Sequence, residues 1–139
     1  MNEERFATFE EFWPFYVLQH AQKLTRTLHF VGTTAALACV ATAALTRNPR
    51  WLLLAPVAGY GPAWFSHFFI EKNRPATFTY PTWSLLADLK MWSLIVSGDM
   101  DEEVERAIAA SASVAEAAKS PPNKVRVAPL NGARSATLN

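Results

Sequence analysis

Three histidines, His20, His29 and His67, are the only imidazoles in 139 residues, and each stands at the end of an apolar segment. Imidazole nitrogens at such an edge can hold a metal ion or pass a proton close to water. Carboxylates are scarce around them: of twelve acidic residues, only Glu71 and Asp88 fall between Leu28 and Ser97. His67 and Glu71 are spaced i, i+4, so a helix sets them one turn apart on one side, with Tyr60 and Trp64 on the same stripe. Three imidazoles and a carboxylate suit mononuclear iron or zinc, since nitrogen donors serve both metals and the carboxylate offsets part of the cation's charge.

The spacing HxxxE is common by chance, and a single histidine is more often a hydrogen-bonded side chain than a ligand. Convergence of all three is the stronger signal. Asp88 has three possible roles: a fourth oxygen ligand, a partner that orients a liganding histidine, or an ion-pair partner of Arg74 or Lys90. Lys72 and Arg74, beside Glu71, are suited to anchoring at a membrane edge and to capture of a carboxylate or acidic lipid headgroup. The tryptophans, Trp13, Trp51, Trp64, Trp83 and Trp92, fit an interface belt and packing.

The elements that must position these residues follow from the apolar pattern. Thr8 is an N-cap candidate for a short amphipathic helix over residues 8–22, with Phe9, Phe12, Trp13, Phe15 and Tyr16 suited to an interface and Pro14 limiting its first turns. Phe30 to Thr46 is charge-free and rich in small residues that permit close helix approach. After the polar turn Thr46-Arg47-Asn48-Pro49-Arg50, the run Trp51 to Ile70 is again charge-free, with Pro56, Gly59, Gly61 and Pro62 bending it. Two antiparallel spans make a hairpin whose legs are each roughly 27 Å, so His29 and His67 return to one face, and His20 belongs there too. Thr82 to Ser97 is a third apolar helix carrying Asp88 and Lys90.

The expected fold is therefore all-α: an integral membrane bundle of about three to four helices, with an N-terminal interfacial helix and a disordered C-terminal tail. Residues 1–98 form the membrane-embedded domain, 99–119 a solvent helix, and 120–139, with Pro121, Pro122, Pro129 and Gly132, the tail. Lys23, Arg26, Lys72 and Arg74 flank one end of the hairpin against Arg47 and Arg50 at the other, which predicts a multi-pass topology with the histidine face cytoplasmic.

Composition removes several functions. A net charge of +1 offers no basic excess for nucleic acid. The acidic start, Glu3, Glu4, Glu10 and Glu11, is the wrong charge for a signal peptide. The lone Cys39 can form no internal disulfide. No HExxH, GxSxG, P-loop or GxGxxG is present, and three histidines are too few for the diiron sites of membrane desaturases.

Several blocks together resemble a family of small multi-pass membrane proteins whose characterised fungal member is a 2-hydroxy fatty acid dioxygenase of fatty-acid alpha-oxidation. They are Tyr16-Val17-Leu18-Gln19-His20, Thr25-Arg26-Thr27-Leu28-His29-Phe30-Val31-Gly32-Thr33, and His67-Phe68-Phe69-Ile70-Glu71-Lys72-Asn73-Arg74-Pro75-Ala76-Thr77-Phe78, continuing through Tyr80-Pro81 and Ser84-Leu85-Leu86-Ala87-Asp88. The resemblance covers about residues 9–95. It departs from the family pattern at Lys23, where relatives often have proline, and at Thr25, where many have asparagine.

The resemblance implies an all-helical membrane enzyme that binds Fe²⁺ through histidines and uses O₂ to shorten a 2-hydroxy fatty acid by one carbon. It implies His20, His29, His67 and Glu71 as metal ligands, Glu71 and Asp88 as catalytic carboxylates, and Lys72 and Arg74 as binders of the substrate carboxylate. Two rivals carry different expectations. A non-enzymatic lipid-binding or structural bundle would hold no stoichiometric metal, and a zinc-dependent lipid hydrolase would show no need for O₂.

Overall fold

Residues 5–119 are described by a computed structural model, and five α-helices account for most of them. Helix α1 spans Phe9–Leu18, α2 Lys23–Thr46, α3 Arg50–Ser66, α4 Pro81–Ser97 and α5 Met100–Lys119. A π-helical turn, His67–Glu71, and a 3₁₀ turn, Ala76–Phe78, lie between α3 and α4.

Local signals explain where the helices start and stop. The Thr8 hydroxyl accepts from the Glu11 amide at 3.3 Å and the Glu11 carboxylate accepts from the Ala7 amide at 3.0 Å, which satisfies two free donors at the start of α1. Arg47, in the left-handed region at φ 54°, ends α2. Pro81 opens α4 at a position where no amide hydrogen is needed, and Gly98 closes it at φ 87°. Asp101, Glu102 and Glu103 place negative charge in the first turn of α5.

The expected three-to-four-helix, multi-span bundle is corrected on two counts. There are five helices, and among the described residues only α2, 24 residues long with mean hydropathy 1.7, is long and apolar enough to cross a membrane. The charge-free run Trp51 to Ile70 is divided: its α-helix stops after 17 residues at Ser66, and the rest becomes the π turn. Helix α4 is also 17 residues long. Nor does α1 stand apart at an interface. Its Phe12, Trp13, Tyr16 and Val17 are buried in the core with Ala87 and Met91 of α4 and Met100 and Val104 of α5.

The start of α5 is tied to that core by polar bonds as well. The Trp13 indole donates to Glu103 at 2.6 Å, and the Arg26 guanidinium pairs with Asp101 at 2.8 Å. The expected disordered tail, residues 120–139, lies outside the described residues.

Helices α2 and α3 run antiparallel in close contact, which returns His67 to the level of His29. The closeness depends on Gly32: a Cβ there would stand 2.7 Å from the Gly59 carbonyl oxygen, a backbone atom that cannot swing away. Gly32→Ala is expected to cost about 1–3 kcal/mol through overpacking, read as a fall in the thermal unfolding midpoint. Gly61→Ala, where a Cβ meets nothing within 4 Å, is the control expected to cause no such fall. Along α2, the hydroxyls of Thr34, Thr42 and Thr46 donate to carbonyls one turn back at 2.7, 2.8 and 2.7 Å. Such bonds satisfy the hydroxyls within the helix itself, and Leu24, Val31, Leu37, Val40 and Leu45 remain exposed on the same helix.

Candidate metal centre

Each histidine arrives from a different element. His20 lies in the joint between α1 and α2, His29 on α2, and His67 at the first position of the π turn. The joint is pinned by Arg26, which donates to the His20 carbonyl at 3.1 Å and the Ala21 carbonyl at 2.6 Å while its other nitrogen pairs with Asp101. The π turn is pinned by Gln22, whose amide donates to the Glu71 carboxylate at 3.1 Å and whose side chain donates to the Ile70 carbonyl at 3.3 Å. A π turn inside a helical segment is a feature that recurs at functional sites. Here it aims His67 inward.

The three rings meet with centroids 4.4, 4.6 and 5.1 Å apart and planes within a few degrees of perpendicular, at 87°, 84° and 88°. All are buried: His20 is 0% exposed, His67 2% and His29 4%. One nitrogen from each lies within 4.8 Å of the others.

The hydrogen bonds fix which nitrogens face the centre. His20 Nδ1 lies 2.6 Å from the Tyr16 carbonyl, which can only accept, so Nδ1 carries the proton. His29 Nδ1 donates to the Asp88 carboxylate at 2.8 Å. The Asn73 amide nitrogen donates to Gln19, so its oxygen accepts from His67 Nδ1 at 2.7 Å. With every Nδ1 proton committed outward, three Nε2 lone pairs are left, and they face one another. His29 Nε2 and His67 Nε2 are 3.2 Å apart, and His20 Nε2 is buried with no partner.

Facing lone pairs repel, and a buried acceptor with no donor costs free energy. A cation among them removes both penalties. Two metal–nitrogen bonds of about 2.1 Å at a tetrahedral or octahedral angle put their nitrogens roughly 3.0–3.4 Å apart, which brackets the observed separation. The donor set therefore fits a divalent transition metal. Imidazole suits iron and zinc alike. Burial, and then the nearby His29 and His67, hold the His20 imidazole well below the usual histidine range, which keeps its lone pair free for a metal.

Asp88, 13% exposed at its side chain, accepts from both His29 and the Tyr16 hydroxyl on one oxygen. This is the orienting arrangement expected of a carboxylate behind a metal-binding histidine. Burial, then Asp88, pushes the Tyr16 hydroxyl well above its ordinary range, so it stays a donor. Glu71 is not among the clustered donors; its carboxylate is engaged at the Gln22 amide. Lys72 is exposed at φ 55°, and Arg74 lies over the Phe78 ring at 5.7 Å. Both stand outside the histidine cluster and outside the walls of the cavity that reaches His29 and Asp88.

Sequence reasoning passed over Tyr16 and Asn73. Asn73 follows a predicted helix end and carries no charge, and only the π turn swings it back to His67. Tyr16 looks like any aromatic of an amphipathic stripe. The i, i+4 step from Tyr16 to His20, stacked at 4.0 Å, was the one available signal.

The family described as 2-hydroxy-palmitic acid dioxygenase Mpo1-like matches residues 6–100. No curated protein and no solved structure matches the chain. The matched span contains all three histidines, Asp88, the π turn and helices α1 to α4. With more than half of its length matched, the chain belongs to the Mpo1-like family.

Proposed function

We propose that this protein is an Fe²⁺-dependent dioxygenase that shortens 2-hydroxy fatty acids by one carbon. Family membership and the histidine cluster support a metal-associated, dioxygenase-like oxidoreductase in general. The observation that supports the finer reading is an apolar cavity whose wall includes Asp88 and His29, one of the three clustered histidines. An amphiphile with a chelating head and a hydrocarbon tail matches that division. The balance is R–CH(OH)–COOH plus O₂ giving R–COOH, CO₂ and water.

Iron, when bound, supplies chelation of the hydroxyl and carboxylate of the substrate and the one-electron chemistry that O₂ requires. The residues supply the rest. His20, His29 and His67 hold the ion through Nε2, leaving room for substrate because the protein offers three donors and not a full shell. Asp88, held by Tyr16, fixes the His29 tautomer and raises its basicity. The apolar walls beyond His29 and Asp88 suit the hydrocarbon tail.

The test is metal analysis of the purified protein paired with O₂ uptake on 2-hydroxypalmitate. Stoichiometric iron and uptake matched by release of CO₂ are expected. Zinc with O₂-independent turnover would instead support a hydrolase, and absence of any stoichiometric metal would support a lipid-binding protein.

The same reading sets an orientation for α2. Lys23, Arg26, Lys72 and Arg74 at its histidine end, against Arg47 and Arg50 at the other, support a cytoplasmic histidine end. A reporter inserted after Thr46 is expected to be non-cytoplasmic; a cytoplasmic signal there would overturn the orientation.

A further inference from the structure

Helices α2, α3 and α4 leave between them a cavity of about 410 Å³, within the usual size of small-molecule sites. Its polar lining groups, His29, Asp88, Tyr60 and Thr33, gather at the metal end. Away from that end the lining is hydrocarbon. Ala36 and Ala55 present only methyl groups and Gly59 bare backbone along the middle, and Val40 and Leu52 stand at the far end. Because α2 and α3 are antiparallel, Val40 and Leu52 are both remote from the histidines.

The groove has a definite reach. His29 and Val40 are eleven residues apart on α2, about 16 Å along the axis, which an extended alkyl chain advancing about 1.25 Å per carbon covers with about 13 carbons. Val40 and Leu52 are the last residues of the lining toward the Arg47–Arg50 turn. Ala43, one turn on, is buried, and the turn that follows brings Arg47 and Arg50, beside which a methyl terminus gains nothing.

We infer that this groove gauges the acyl chain of the substrate, with Val40 and Leu52 as its stop and Ala36, Ala55 and Gly59 keeping it open. The inference rests on the proposed function for its head group, but the length selection resides in residues that touch no metal. A larger side chain halfway along shortens the gauge, and a smaller one at the stop lengthens it.

The experiment uses the full chain, loaded with iron, in lipid nanodiscs, with 2-hydroxy acids of about 10 to 18 carbons. Ala55→Leu is expected to lower the kcat/KM ratio of the 16-carbon over the 10-carbon acid by about ten-fold or more. Leu52→Ala is expected to raise the longest well-accepted acid by about two carbons. Opposite shifts cannot come from a shared folding defect. Competition binding of saturated acids without the hydroxyl to metal-free protein provides a second readout and should show the same order.

Identical length profiles in wild type and both variants, or equal losses at every length, would overturn the gauge. Turnover indifferent to chain length would leave the proposed function standing and remove the gauge. Length-selective binding that both variants shift, without turnover of any 2-hydroxy acid, would uphold the gauge and remove the proposed function.

Discussion

Purified His67→Ala protein is expected to lose its bound metal and its O₂ uptake while keeping its helical content. The loss should exceed the roughly 10–100-fold that removal of an outer hydrogen-bond partner costs a metal site, because a donor atom itself is gone. The fold has reasons to survive. The π turn keeps the bond from the Asn73 amide to the residue 67 carbonyl at 3.0 Å, and the clasp between Gln22 and Glu71 does not involve the imidazole.

Thermal unfolding separates ligand loss from misfolding. In wild type, metal at 1,000 times its Kd stabilises the folded state by about 4 kcal/mol, and the variant should show no such rise. Its metal-free midpoint is expected to fall somewhat below that of metal-free wild type, since removing a ring that is 2% exposed leaves a cavity and takes the donor from Asn73 Oδ1. A variant that still binds iron stoichiometrically and consumes O₂ would exclude His67 from the centre.

Substitutions behind His29 should follow a ranked order. Asp88→Leu removes the acceptor shared by His29 and Tyr16 and leaves two buried donors unmatched, so metal affinity and turnover are expected to fall by about 100-fold. Asp88→Asn keeps an oxygen for His29 but drops the charge, and about 10-fold is expected. Tyr16→Phe spares the bond to His29 and should have the smallest effect. Metal affinity measured by competition with a chelator checks the order, and the spectrum of a bound cobalt probe checks whether the donor set itself has changed. Equal affinities for all three variants would confine Asp88 to packing.

Much of the centre was legible before any coordinates. Counting helical rise along two apolar legs returned His67 to His29, and the antiparallel packing of α2 and α3 agrees with that count. Asp88 as the partner orienting a liganding histidine was one of three readings open from sequence, and its bond to His29 Nδ1 supports it. The placement of Glu71 was not legible, because the i, i+4 argument presumes an unbroken α-helix. The π turn and the left-handed Lys72 that follows carry the Glu71 carboxylate to Gln22 instead.

The number of spans failed for a related reason. A charge-free run records which residues avoid water and says nothing of where the backbone changes its hydrogen-bond register, so Trp51 to Ile70 could not show its own division at Ser66. Helix α1 shows a second limit. An aromatic stripe has the same pattern whether its partner is lipid or other helices, and here the partners are α4 and α5.

The bond between Arg26 and Asp101 bears on the order in which the molecule comes into being. Arg26 holds the joint that carries His20, and Asp101 holds Arg26. On a translating ribosome, all three histidines are polymerised well before residue 101 leaves the exit tunnel. A nascent chain therefore carries all three imidazoles before the contact that ties the His20 joint to α5 can form.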